Sequence, residues 1–385
     1  MVDWVAHLMM KSPKAVRSSY LNCHGATYHA AQNIELVAGS DPYQEQADLF
    51  AERWGIDHSH IYNDHREMLE KESLDIVSVC TTAKIRANIV QDAASAGIKA
   101  IWAEKPIAIS LAEADAMVSA CREYNVVLAI NCARRWNPFF TEARRLIDAG
   151  EIGDILQITG YTPCTLSSNG SHAIDIIRYM AGGDVEWVFG EMASDEAAAG
   201  EKDLMGNGYL AFNNGVRGYL RSMSCGASSW EVDVIGTLGR IRSLNNAEEF
   251  ELIRTIPGGR RGGGVPAKCP FPWPVRMQGM GLTIVDDIVS AIETGRPPKC
   301  TGEDGRQALE IAIALRESHR RGGVKVNLPL EDRKLQIMAS ESLYDNMPGS
   351  QFIAHLPYLV RKITFFTRSM LLLASYFEPI IFESS

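Results

Sequence analysis

Two short stretches of this sequence carry side chains that can move a proton and stabilise negative charge. Lys105 lies in Glu104-Lys105-Pro106, directly after an apolar run, and His172 and Asp175 lie three residues apart in Ser171-His172-Ala173-Ile174-Asp175. A neutral imidazole can accept a proton near neutral pH, and an ammonium group can stabilise the oxyanion that forms. These residue types suit the oxidation of a secondary alcohol, in which a base takes the hydroxyl proton and a nicotinamide takes the hydride.

Each stretch has a second interpretation when it is taken in isolation. A Glu-Lys-Pro run is also typical of a solvated turn, and a histidine in a first helical turn is often an ordinary, partly buried side chain. Asp175 can hold a second substrate hydroxyl or orient the imidazole, but an acid there also complements the helix dipole. The choice depends on the elements that position these residues.

The chain around Lys105 alternates between predicted strands and helices. Apolar runs predict buried strands at residues 75–80, 99–103 and 126–130, with helices between them at residues 84–96 and 110–121. Ser110 and Glu113 have the spacing of a helix capping box. This order predicts a doubly wound, Rossmann-like parallel sheet, with Lys105 at the carboxyl edge where ligands bind.

Polar residues that end other predicted strands suit a dinucleotide. Asp41 follows a predicted strand at residues 34–39, where an acid accepts hydrogen bonds from ribose hydroxyls and repels a 2′-phosphate. This favours NAD over NADP. Thr81 and Thr82 directly follow the strand at residues 75–80 and are expected to face the dinucleotide. Alternatively, Asp41 only begins an Asp-Pro turn.

Several short motifs follow one another in a characteristic order. They are Asp41-Pro42, residues 74–81, Glu104-Lys105-Pro106, Arg134-Arg135-Trp136-Asn137-Pro138, residues 149–154, residues 169–175, residues 235–241 and residues 294–298. Each is weak alone, but together they resemble the Gfo/Idh/MocA family of NAD(P)-dependent oxidoreductases over roughly residues 24–337. The resemblance implies a Rossmann-like domain followed by an α+β domain with a large, mainly antiparallel sheet. It also implies catalytic roles for Lys105 and His172.

The resemblance extends to the residues around the predicted catalytic pair. It implies that Glu104 and Lys105 lie beside the cofactor and that Asp175 contacts the substrate. Arg134 follows the last Rossmann strand and is a candidate contact for substrate or cofactor, and Asn169 is a candidate substrate contact.

Two departures from the family pattern stand out. The family begins with a glycine-rich loop whose backbone amides approach the pyrophosphate, yet here Val16, Ser18 and Leu21 occupy the positions of the small residues. Side chains at these positions would obstruct that approach. Many members also carry an acid four residues before the catalytic histidine, where this sequence has Ser168.

We predict three regions: a Rossmann-like domain at residues 1–133, a substrate and oligomerisation domain at residues 134–337, and an apolar extension at residues 338–385. In the second region, strands are expected at residues 155–161, 185–192, 208–212, 216–223, 230–235, 240–244 and 250–256. The resemblance implies a homo-oligomer formed through this sheet. The extension is expected to pack or contact a partner, with a surface amphipathic helix as the alternative.

Composition excludes several classes of protein. The net charge of -9 and the pI near 5.6 argue against a nucleic-acid partner, and no apolar run is long enough to span a bilayer. Eight cysteines without a Cys-x-x-Cys pair, and a start that lacks a signal peptide, predict reduced thiols in the cytoplasm. No acidic partner frames His58, His60 and His65, which are expected to face solvent, so we predict no metal site.

These patterns predict an NAD-dependent dehydrogenase that acts on CH–OH groups of a small sugar, polyol or related compound. Within the same family, some members instead hold NAD tightly and oxidise their substrate only transiently during glycoside cleavage. A catalytically silent ligand sensor with the same fold is a further alternative, favoured by the altered glycine loop.

Overall fold

The computed structural model describes residues 23–222, 230–258 and 264–339. The helices are α1 (His24–Ala30), α2 (Gln44–Trp54), α3 (His65–Lys71), α4 (Ala83–Ser95), α5 (Leu111–Glu123), α6 (Pro138–Asp148), α7 (Gly170–Ala181), α8 (Asp195–Ala199), α9 (Met280–Thr294) and α10 (Gly302–Arg320). Short 3-10 helices span His58–His60, Ala133–Trp136 and Asn245–Ala247.

The strands form two parallel sheets and one large mixed sheet. Their bounds are β1 (Gly39–Ser40), β2 (Ile61–Tyr62), β3 (Ile76–Val79), β4 (Ala100–Ala103), β5 (Val127–Ile130), β6 (Ile155–Thr162), β7 (Val185–Met192), β8 (Gly206–Phe212), β9 (Arg217–Ser222), β10 (Glu231–Gly236), β11 (Gly239–Leu244), β12 (Glu249–Pro257), β13 (Gly264–Cys269) and β14 (Val326–Asn327).

The first half of the chain has the predicted parallel architecture. β3, β4 and β5 pair in that order in parallel, and the helices α4 and α5 connect them. β4 is the central strand, and all four of its residues are buried, as expected for a strand covered on both faces. β1 and β2 form a separate parallel pair. The Rossmann-like interpretation of this half is therefore confirmed.

The second half is built on a nine-stranded sheet, which confirms the predicted α+β domain. The strand order is β13-β12-β11-β10-β6-β9-β8-β7-β14, and β6 and β9 are parallel whereas the other neighbours are antiparallel. α10 packs against β7 of this sheet and also contacts β5 of the parallel sheet. A Cβ atom at Gly190 of β7 would lie 2.0 Å from the carbonyl oxygen of Leu315. Glycine is therefore required for this close approach of helix and strand.

Three local expectations differ from the structure. No strand was predicted around His58, His60 and His65, yet this segment contains a 3-10 helix and β2, and β2 is stabilised by the pairing of Ile61 with Gly39. The strand expected at residues 34–39 is reduced to Gly39–Ser40. β13 was not predicted, because its own residues show no clear apolar pattern. The strand is stabilised by its pairing with β12.

The expectation that the three histidines lack acidic partners is also wrong. His60 Nδ1 lies 2.7 Å from Glu72 Oε1, and His65 Nε2 lies 2.8 Å from Asp92 Oδ2. Their partners are 12 and 27 residues away in the chain, so no local pattern reveals them. His58 Nδ1 lies 3.3 Å from Asp48.

None of the helices in the described ranges combines the length and the apolar composition that a membrane span needs.

Candidate active site

Lys105 extends from the parallel sheet to the loop that precedes α7. It follows β4, and its Nζ donates hydrogen bonds to Asn169 Oδ1 at 2.8 Å and to the carbonyl oxygen of Ser168 at 3.4 Å. The structure therefore brings together predicted site residues from both halves of the chain. Burial lowers the pKa of Lys105, and the neighbouring charge of Glu104 opposes this shift.

Glu104 anchors the Lys105 segment from beneath. Its Oε1 accepts a hydrogen bond from Asn131 Nδ2 at 2.7 Å and lies 3.3 Å from His24 Nε2, while its Oε2 accepts from the Lys105 backbone N–H at 3.2 Å. Burial alone would raise the pKa of Glu104, but the hydrogen bond and charge of His24 lower it to about 2. The carboxylate is thus ionised and is held within the protein rather than presented to a ligand.

His24, which sequence analysis did not single out, completes this network. Its ring stacks on Trp102 at a centroid distance of 3.5 Å, and its Nδ1 lies 2.8 Å from Ser78 Oγ. Burial disfavours its charged form, but Cys80 and Glu104 outweigh this effect and raise its pKa to about 9. Because these partners lie 54 to 80 residues along the chain, the sequence offers no local signal for the role of His24.

His172 lies in the first turn of α7 and is partly buried. Its Nδ1 is buried and has no hydrogen-bond partner among the described residues, while its ring lies edge-on to Trp230 at a centroid distance of 6.2 Å. Burial and the charges of Lys105 and Arg134 lower the pKa of His172 well below its usual value. The imidazole is therefore neutral near pH 7 and able to accept a proton.

Asp203, also missed by sequence analysis, holds the loop in front of α7. This buried carboxylate accepts hydrogen bonds from Thr165 Oγ1 at 2.7 Å and from the backbone N–H groups of Ser167 and Ser168 at 2.9 and 2.7 Å. The loop then turns tightly, because a Cβ atom at Gly170 would lie 2.3 Å from the Thr165 carbonyl oxygen. Asp203 thus fixes the backbone that presents Asn169 and His172.

Asp175 is fully buried beneath His172 on α7. Arg135 donates from Nε and Nη2 to its two carboxylate oxygens at 2.7 to 3.0 Å. Arg135 also reaches Asp304 at 3.0 Å, and these acids raise its pKa against the effect of burial. Cys132 and Cys300 lie near Asp175, with ligand atoms within 4.8 Å of one another, but its oxygens are already engaged by Arg135. The contact of Asp175 with substrate stays a prediction.

Arg134 faces the same region from the junction between the two halves. Its guanidinium carbon lies 4.2 Å from the centroid of the Trp230 ring, and its Nη2 donates to Asn246 Oδ1 at 2.8 Å. Its Nε is buried without a partner among the described residues. Burial lowers the pKa of Arg134 to about 10.

The residues predicted to face the dinucleotide lie at strand ends, as expected. Asp41 follows β1, and its Oδ1 accepts a hydrogen bond from the Tyr43 backbone N–H at 2.9 Å. This contact is also the one expected if Asp41 begins an Asp-Pro turn. Thr81 Oγ1 is buried and has no partner in the described ranges, and Thr82 is the exposed N-cap residue of α4. Arg86 donates to the carbonyl oxygens of Thr81 and Pro106, which ties two of the strand ends together.

These residue types fit NAD. A half-buried acid, an unpartnered hydroxyl and Lys105 lie after strands of the parallel sheets, and they are the donor and acceptor types that a dinucleotide can use. The positions compared with the glycine loop, Val16, Ser18 and Leu21, lie outside the described residues.

Comparisons with known proteins agree with this geometry. Residues 20–132 match the family model described as an oxidoreductase family with an NAD-binding Rossmann fold, and residues 144–328 match its C-terminal alpha/beta domain. The chain is 26% identical to myo-inositol 2-dehydrogenase of Thermotoga maritima over 318 residues, which cover 76% of this chain and 92% of that protein. It is 27% identical to D-apiose dehydrogenase of Paraburkholderia graminis, with coverage of 76% and 84%.

Solved structures show the same fold. The aldose-aldose oxidoreductase of Caulobacter crescentus, solved with glycerol, superposes with a TM-score of 0.67 at 22% identity and covers 81% of this chain and 97% of its own. An inositol dehydrogenase homolog from Azotobacter vinelandii, solved with NADH and myo-inositol, gives 0.66 at 18% identity, with coverage of 81% and 94%. The two domain matches together span most of the chain and confirm the resemblance and the NAD assignment. This chain therefore belongs to the Gfo/Idh/MocA family of NAD-binding oxidoreductases.

Proposed function

We propose that this protein is a dehydrogenase that oxidises a secondary alcohol of a sugar, polyol or related hydroxylated compound. The observation that carries the proposal is the meeting of Lys105 with the start of α7. Lys105 Nζ is hydrogen-bonded to Asn169, three residues before His172, and its charge acts on the His172 ring. A cation from the nucleotide-binding half and a neutral base from the other half thus border one site.

The two side chains divide the chemistry at the reacting hydroxyl. NAD, when bound, accepts the hydride from the carbon atom. The imidazole of His172 takes the hydroxyl proton. Lys105 Nζ donates a hydrogen bond to the same oxygen and stabilises its developing negative charge. Asn169 and Arg134 then orient the rest of the substrate, while Asp175 acts indirectly by holding Arg135.

The decisive experiment combines NAD titration with a turnover panel. The purified protein should bind NAD and produce NADH, detected by absorbance, with at least one member of a panel of aldoses, alditols, inositols, aldonates and uronates. Binding of NAD without turnover of any member would favour the silent sensor. Cleavage of an added glycoside without net NADH would favour the transient-oxidation alternative. Both outcomes contradict the proposed dehydrogenase.

We further propose a cytoplasmic homo-oligomer that associates through the nine-stranded sheet. Support comes from a cluster of aromatic side chains on β7, β8 and β9 that consists of Trp187, Phe189, Tyr209 and Tyr219. Phe189 and Tyr219 are 41% and 36% exposed in the single chain. Exposed aromatic clusters of this kind are typical of protein interfaces. Light scattering should give a multimer, and Phe189→Glu should shift it towards the monomer.

A further inference from the structure

The charged groups around His172 are unbalanced. Lys105 Nζ is hydrogen-bonded to Asn169, three residues before His172, and Arg134 lies over the Trp230 ring, which is edge-on to His172. Both cations lower the pKa of His172, and the charge of Glu104 opposes them. Ser168 occupies the buried position four residues before His172, so the loop supplies a hydroxyl at that place instead of a carboxylate. A neutral polyol would enter this site without adding the negative charge that balances it.

The buried acids nearby are all engaged elsewhere. Glu104 is shared by Asn131, His24 and the Lys105 backbone, so its charge is already matched by an imidazolium. Asp175 is held by two donors of Arg135. Asp203 accepts three hydrogen bonds from the loop at residues 165–168. None of the three presents an unengaged carboxylate to the substrate.

Arg134 is the cation that this arrangement leaves uncompensated. In the described part of the chain, its polar partner is the neutral side chain of Asn246, and its guanidinium plane is covered by Trp230. Its Nε donor is buried and unused. A partly buried guanidinium without an acid is unfavourable, and a carboxylate is its best partner because two parallel hydrogen bonds can form.

We infer that the substrate is an anionic sugar derivative whose carboxylate pairs with Arg134 while its secondary hydroxyl lies between Lys105 and His172. This inference rests on the proposed function and narrows it from hydroxylated compounds in general to sugar acids. The carboxylate supplies the negative charge that the protein lacks at this point and pairs with the edge of the guanidinium, while Trp230 covers one of its faces. The charge of Arg134 thereby selects between acids and neutral sugars of the same size.

The test uses matched pairs of ligands that differ by one carboxylate. Gluconate is compared with glucitol, galactonate with galactitol, and glucuronate with glucose, by calorimetric titration of the full chain saturated with NADH. We expect the acid of at least one pair to bind about tenfold or more tightly than its neutral partner, which corresponds to one good charged contact. This preference should shrink as salt is raised.

Variants assign the preference to Arg134. Arg134→Gln should abolish the preference while NADH still binds, and Arg134→Lys should retain part of it because the charge remains but the two-point geometry is lost. Arg276→Gln removes an arginine that is 73% exposed and paired with Asp286, and should keep the full preference.

Two outcomes would overturn the inference: equal or tighter binding of every neutral partner, or no binding by any of the carboxylates, including the case in which added glucose 6-phosphate binds instead. If NADH binds and a neutral polyol is oxidised in these cases, the proposed dehydrogenase stands and only the acidic substrate is wrong. If NADH itself does not bind, the proposed function fails as well.

Discussion

Buried carboxylates lie behind Lys105 and behind His172, but different cations neutralise them. Glu104, behind Lys105, pairs with His24, whereas Asp175, behind His172, pairs with Arg135. Histidine can lose its charge within an accessible pH range, and arginine in practice cannot. The support of Lys105 is therefore sensitive to pH, while the support of the His172 helix is constant. A change in pH is therefore expected to affect the surroundings of Lys105 but not the ion pair behind His172.

The largest expected effect tests the helix side directly. His172→Ala should lower turnover by about 10²- to 10⁴-fold, because it removes the general base. The base must be neutral to act, and its lowered pKa predicts that the acid limb of the wild-type pH profile lies well below 6.5. Turnover measured from pH 5 to 9 with and without added imidazole checks this, since free imidazole should restore part of the activity. An unchanged profile in the variant would assign the base elsewhere.

Removing Arg135 should test how strongly the stability of α7 depends on the buried ion pair between Arg135 and Asp175. Arg135→Ala leaves Asp175 buried and unpaired, which should lower the free energy of unfolding by about 3–5 kcal/mol. Arg276→Ala is the control, because its exposed ion pair should contribute about 1 kcal/mol or less. Urea denaturation of both variants gives the comparison. Equal losses would show that the buried pair is not a special support of α7.

Removing the cation on the Rossmann side should have a slightly smaller effect on turnover. Lys105→Ala should lower kcat by about 10²- to 10³-fold, the range for loss of one oxyanion donor. Lys99→Ala serves as the control, since Lys99 is 60% exposed and paired with Asp75 at the surface. Steady-state turnover and NADH affinity are measured for both. A loss of less than about tenfold for Lys105→Ala would remove its role in stabilising the alkoxide.

The smallest expected effect concerns the titration of His24. Its pKa rises from 6.5 to about 9 on folding, so its stabilising contribution is complete below pH 6.5 and is lost as the pH rises through 9. The difference in unfolding free energy between wild type and His24→Gln should therefore be larger at pH 6 than at pH 10. His29→Gln, at an exposed position of the same helix, is the control. A pH-independent difference would show that His24 is not charged in the folded protein.

Sequence patterns predicted elements whose stability is local. The strand at β7 was predicted with its observed bounds, and α5 begins after the Ser110 cap as expected, because apolar periodicity and capping act within a few residues. β13 and the two-residue strands β1 and β2 were missed or misjudged, since their hydrogen bonds come from distant segments. For the site, Lys105 and His172 were chosen from their motifs, whereas His24, Asp203 and the Arg135 pair were not.

The sequence by itself determined the family, the cofactor class and the residue types that suit alcohol oxidation, because motif order and strand ends are encoded along the chain. Only the tertiary structure decided which charges remain available at the site. Glu104, Asp175 and Asp203 read as equivalent acids in the sequence, but each is neutralised or fully hydrogen-bonded by partners between 27 and 80 residues away. Electrostatic balance depends on distance in space and on burial, and neither is written in the local order of residues.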